Sequence, residues 1–173
     1  MEAGERSKQA APDAAAGADA PTHYDLIELL FFAYRDFVAD PDRILADYGF
    51  GRAHHRVLHF VQRRPGLTIA ELLDILRITK QSLNRVLKEL VEKGFVELRT
   101  GTRDKRQRKL HATPAGLDLA ASMARMQGRR IEAALAPLPP EAADTVTAYL
   151  AGLIDPGERR KVLAQLGPAP RRP

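Results

Sequence analysis

Cysteine is absent from the 173 residues. That excludes disulfides, thiol-based redox or peroxide sensing and Cys-ligated metal centres. Apolar runs of transmembrane length are absent too, and the N-terminus lacks the apolar core of a secretory signal. The expectation is a cytoplasmic protein with no membrane partner. The common catalytic signatures are likewise missing: no Gly-x-Ser-x-Gly, no P-loop and no His-Glu-x-x-His. The chain reads as a non-enzyme without a cofactor.

What is present is charge in one place. The net charge of +5 is modest and says little about a partner. Its distribution says more: Arg99 to Lys109 holds six Lys or Arg in eleven residues, relieved by Asp104 alone. Hydrophobic residues make up 45% of the chain, enough for one domain with a core. Residues 1–21 and 167–173 are expected to be disordered tails, because they carry almost no large apolar side chain.

Between the tails the pattern is mainly helical. Tyr24 to Ala39 is apolar on nearly every side. Such a helix is buried all round, either against a second subunit or at the centre of a monomeric core. Asp40-Pro41 is expected to break it, with a short turn to Tyr48. Gly51 to Arg64 reads as a second helix. Thr68-Ile69-Ala70-Glu71 is a capping box opening a third, to about Leu76. Thr79 caps a fourth that runs to Lys93, with Gly94 just past its end. The third and fourth are separated by about three residues, which is helix-turn-helix spacing. Phe95 to Arg99 and Arg106 to Ala112 read as a hairpin. Thr113-Pro114 starts a long helix to about Ala136. Pro140 opens another through Leu153, and residues 156–166 form a last short one. The expected fold is mainly α with a small β-hairpin wing. Its divisions are 22–50 as an N-terminal dimerisation helix and connection, 51–113 as a winged helix-turn-helix, and 114–166 as C-terminal dimerisation helices.

The fourth helix faces two ways. Leu83, Val86, Leu87, Leu90 and Val91 recur at helical spacing as one apolar stripe. Lys80, Gln81, Asn84, Arg85 and Lys88 form a polar stripe that contains no acid. Gln and Asn can pair with adenine edges, and Arg and Lys with guanine. The bland alternative is an ordinary solvated face. The basic hairpin beside it favours DNA, since such a hairpin can reach the phosphate backbone or the adjacent minor groove. The candidate DNA-binding residues are therefore Thr79, Lys80, Gln81, Ser82, Asn84, Arg85 and Lys88 on the helix. On the hairpin they are Arg99, Arg103, Lys105, Arg106 and Arg108. Asp104 is expected to orient one of these arginines rather than to touch DNA.

These residues resemble the MarR family of bacterial transcriptional regulators. The resemblance rests on Asp104-Lys105-Arg106 followed by Leu110 and Thr113-x-x-Gly116, and on Leu83, Arg85, Leu87, Leu90 and Gly94. It spans about Tyr24 to Leu153. The segment FFAYRDFVADPDRILADYGFGRAHHRVLHF further resembles the PetP-like branch. The resemblance implies a homodimer interlocked through its first and last helices. It also implies double-stranded operator DNA of palindromic form and, in many members, release by a small-molecule effector, as in a ligand-responsive repressor. The competing reading is a winged-helix module for protein–protein assembly without specific DNA binding.

Histidines cluster at His54, His55 and His59, the last two one helical turn apart. That spacing can hold a metal, but no carboxylate or thiol stands close by in sequence, and Arg52 and Arg56 disfavour a cation. Structural or interface roles are preferred, and no metal is expected. By resemblance, Tyr34, His55 and His59 would border an effector crevice.

Overall fold

The computed structural model describes residues 21–100 and 107–166. The chain divides into two units, Met1–Asp36 and Phe37–Pro173. In the first, the N-terminal stretch of helix α1 (Tyr24–Ala46) presents apolar side chains to solvent. Tyr24, Leu29, Phe31, Phe32 and Tyr34 are each more than half exposed.

α1 continues through Pro41 to Ala46, so the expected break at Asp40-Pro41 does not occur. Proline removes one helical donor, the N–H that would have bonded the Phe37 carbonyl. Gln127 supplies a replacement, its Nε2 donating to Phe37 O at 3.4 Å. Pro41 is buried, and the neighbouring Asp40 pairs with Arg130 at 2.9 Å and with Arg43. Tertiary contacts thus keep helical a site that local rules would end.

The second unit is built around α2 (Arg52–Arg63), α3 (Ile69–Leu76), α4 (Lys80–Glu92) and α5 (Pro114–Leu135). Leu45, Phe50, Val57, Leu58, Val61, Leu72, Leu76 and Met123 fill its core. The apolar stripe of α4 completes it: Leu83, Val86, Leu87 and Leu90 are all buried. Each such side chain contributes roughly 1.5–3 kcal/mol when removed from water. The stripe therefore fixes which face of α4 remains outside.

Strands β2 (Val96–Thr100) and β3 (Arg108–Ala112) form the hairpin, with Leu98 opposite Leu110 and Arg99 opposite Lys109. A two-residue strand, β1 (Leu67–Thr68), pairs antiparallel with β3 and makes a three-stranded sheet in the order β1-β3-β2. Sequence reasoning placed no strand there, because two residues carry no period.

The helix starts are those the sequence marks. Thr68 Oγ1 accepts the Glu71 N–H, and Glu71 returns a carboxylate to the Thr68 N–H at 2.8 Å. Thr113 Oγ1 accepts from Gly116 N at 3.1 Å and donates to Gly94 O at 2.6 Å. The last two helices are α6 (Ala142–Leu153) and α7 (Pro156–Gln165), with α6 opening two residues later than Pro140. Asp155 caps α7 through Gly157 N at 2.8 Å. No described helix is long and apolar enough to cross a membrane.

Candidate nucleic-acid interface

Helix α3, the turn Arg77-Ile78-Thr79 and helix α4 form a helix-turn-helix. The turn is made by Arg77 in the left-handed region, φ 51° and ψ 45°. A residue with a Cβ adopts that geometry at a cost of roughly 1–2 kcal/mol. Three contacts hold the arrangement, two from α2 and one from α7. Arg56 of α2 donates to Leu76 O at 2.8 Å, at the end of α3. Arg77 pairs with Glu158 of α7 at 2.7 Å. His54 of α2 meets Glu89 of α4 at 2.9 Å. The Gly51 N–H donates to His54 Nδ1 at 3.1 Å, so Nε2 carries the proton that His54 gives to Glu89. The imidazole also stacks on Phe50, with centroids 4.5 Å apart.

On the outer face of α4, Lys80, Gln81, Ser82, Asn84, Arg85 and Lys88 are all exposed. Among the described residues, no side-chain hydrogen bond or ion pair engages Lys80, Gln81, Asn84 or Arg85. Lys88 pairs loosely with Glu92, 3.7 Å away. Thr79 and Ser82 are committed locally. Thr79 Oγ1 donates to Ser82 Oγ at 2.9 Å and accepts the Ser82 N–H at 3.1 Å, capping the helix. The free donors therefore occupy the first two turns of α4, where the positive end of the helix dipole adds to their charge.

In the hairpin, Arg99 is exposed and its Nε is held by Glu97 at 2.8 Å. That partner lies two residues earlier on the same strand face, and sequence reasoning did not weigh it. Arg108 is exposed at the mouth of the hairpin, opposite Thr100. Arg103, Asp104, Lys105 and Arg106 lie outside the described residues. The structure thus brings Lys80, Gln81, Asn84, Arg85 and Lys88 onto one surface, and sets Arg99 and Arg108 at the hairpin's far end.

The histidines separate into two kinds. His54, which sequence reasoning left without a role, is the buried one and links α2 to α4. Its signal lies across the fold, in a glutamate 35 residues away, so no local pattern reveals it. His55, half-buried, is held below the usual imidazole pKa chiefly by burial, and His59, though exposed at the surface, is shifted the same way by the desolvation that its neighbours impose. For His55 the proximity of His59 adds to this, while Asp42 and Gln127 oppose it. For His59, Arg63 and Arg64 add to it. Arg63 and Arg64 beside His59 oppose a cation there. Among the described residues, no group of three or more His, Asp or Glu is placed to hold a metal ion. Tyr34 lies in the first unit and is exposed, and His55 and His59 lie in the second.

Comparison with known proteins agrees with this geometry. The MarR family model matches residues 48–107, from just past α1 to the edge of the hairpin's return strand. The HTH-type transcriptional regulator PetP of Rhodobacter capsulatus is 49% identical over 134 residues, covering 78% of this chain and 81% of that protein. A MarR transcriptional regulator from Methanosarcina mazei shares the fold, with a TM-score of 0.63 at 21% identity over 77% of this chain and 96% of that one. So does a single-residue mutant of S. aureus MepR bound to an oligodeoxyribonucleotide, with a TM-score of 0.52 at 16% identity over 75% and 95%. With a helix-turn-helix followed directly by a hairpin, and with that level of identity to PetP, the chain belongs to the MarR family of winged helix-turn-helix transcriptional regulators.

Proposed function

We propose that the chain regulates transcription as a homodimer that binds a palindromic DNA operator in the cytoplasm and catalyses no reaction. The observation that carries this reading is the acid-free outer face of the first two turns of α4, whose donors Lys80, Gln81, Asn84 and Arg85 are exposed and uncommitted among the described residues. Buried leucines and valines on the opposite face leave it nowhere to point but outward. In the major groove, Arg85 and Lys80 suit guanine edges, and Gln81 and Asn84 suit adenine. Arg99 and Arg108, together with Arg103, Lys105 and Arg106 on sequence grounds, would meet phosphate or the minor-groove edge. The DNA-bound relative among the structures of this fold supports the assignment of the partner.

A second copy of the chain is the natural cover for the exposed apolar surfaces. They lie on α1 (Leu29, Phe31 and Phe32) and on α6 (Tyr149, Leu150 and Leu153). Clusters of exposed large apolar side chains on each of these helices fit an interface. Repression relieved by a small-molecule effector follows the family pattern, and His55 and His59 are the residues to test for it. Replacing both with Gln should leave DNA affinity nearly intact and remove any effector response.

The direct test is a mobility shift on the DNA upstream of the protein's own gene, with heparin as competitor. A discrete complex that survives heparin supports sequence-specific binding. A complex lost to heparin as readily as one on unrelated DNA contradicts it and favours a protein-binding module.

A further inference from the structure

Helix α7 lies against the helix-turn-helix, yet none of its residues is buried. A cavity of about 690 Å³ separates it from α2 and α3, with Phe60, Ile75 and Val162 among its walls. Polar links at the edges hold it instead. Glu158 pairs with Arg77 in the turn at 2.7 Å. Lys161 pairs with Asp74 of α3. At the far end of α7, Arg64 donates to the Gln165 side chain at 3.1 Å and to its backbone carbonyl at 2.9 Å. The half-buried residues Glu158, Val162 and Gln165 recur at helical spacing, so one face of α7 makes all of this contact.

The place where α7 holds on is mechanically sensitive. Arg77 is the left-handed residue between α3 and α4, and its backbone angles set the direction in which α4 leaves the turn. A residue with a side chain does not favour that geometry, so something must hold it there. Arg56 steadies the carbonyl just before it. Glu158 holds the side chain of Arg77 itself.

We propose that α7 is a brace that sets the angle of α4 through the Glu158–Arg77 pair, which makes Glu158 and Arg77 positioning residues for DNA binding. This rests on the reading that α4 contacts DNA. Because the links are two exposed ion pairs and the Arg64–Gln165 hydrogen bonds, over an open cavity, the brace is weak and releasable rather than part of the core.

The test uses the full chain and a DNA fragment carrying the region upstream of its gene. Glu158→Ala should weaken binding about fivefold, the effect of losing one good surface ion pair. The salt slope of binding should not change, because Glu158 neutralises no phosphate. The decisive control is an Arg77→Gly background, since glycine adopts the left-handed turn without support. There, Glu158→Ala should have no further effect on affinity. Unchanged affinity for Glu158→Ala in the wild-type background would overturn the brace. So would a loss of the same size in the Arg77→Gly background. If the wild-type protein binds no DNA at all, the reading of α4 falls and the brace falls with it. If the wild type binds and only the Glu158 effect is missing, the brace alone is wrong.

Discussion

A methyl group added at Gly116 would lie 2.0 Å from the Phe95 carbonyl oxygen and 3.0 Å from its carbon. Both are backbone atoms, and Phe95 O also accepts the Thr113 N–H at 3.1 Å, so neither can yield cheaply. The Thr113-x-x-Gly116 spacing is therefore a packing requirement: threonine caps α5 while glycine lets α5 approach the start of the hairpin. Gly116→Ala is expected to destabilise the fold by about 3 kcal/mol or more, a drop in Tm of roughly 6–12 °C in a thermal melt. On the outer face of α4, proposed to meet DNA, Arg85→Ala should change both affinity and sequence preference and lower the salt slope where it reaches phosphate. Arg106→Ala should weaken all sequences more evenly and lower the salt slope by about one unit. Asp104 gives a test of sign. If it orients an arginine, Asp104→Ala weakens binding; if the hairpin is only a diffuse basic patch, removing an acid tightens it. Titration across a range of salt concentrations separates the two.

Helix α2 carries a pH dependence of its own. His55 and His59 are harder to protonate in the folded chain than in the unfolded one. The unfolded state therefore binds more protons as pH falls through about 6.5, and acidification favours unfolding in that window. Stability should be level above about pH 7.5 and decline from there toward pH 5.5. Asp40, Glu71 and Asp74, whose carboxyls are held low by Arg130, Thr68 and Lys161 respectively, lose their contribution only at more acid pH. Urea unfolding of wild type and of a His55→Gln, His59→Gln variant should therefore diverge in its pH dependence between about pH 7 and 5.5. A parallel pair of curves would contradict the assignment. Elements whose causes are local were legible in the sequence. Thr68, Thr79 and Thr113 mark helix starts, Gly94 a helix end, and the Leu83-to-Leu90 spacing the inner face of α4. Elements whose causes are distant were not. Pro41 stays helical with help from Gln127, β1 exists only by pairing with β3, and His54 acquires its role from Glu89. The same division applies to the candidate site, where the stripe of α4 was readable but the contacts that hold it through Arg56, His54 and Glu158 were not.

At the scale of the whole molecule, the proposal rests on two features: the exposed apolar side chains of α1 and α6, and the acid-free first two turns of α4. The proposed assembly accounts for both: two copies joined through their helices, each presenting an α4 to the same DNA. Sedimentation at micromolar concentration should show a dimer, and a stable folded monomer would contradict it. Two recognition helices related by a twofold axis should enter successive major grooves about one helical turn apart, roughly 34 Å. Hydroxyl-radical footprinting of the protein on the DNA upstream of its gene measures this most directly. The expected result is two protected segments in an inverted repeat, spaced by about one turn and both lost in Arg85→Ala. Protection without an inverted repeat, or protection that Arg85→Ala leaves intact, would contradict the account.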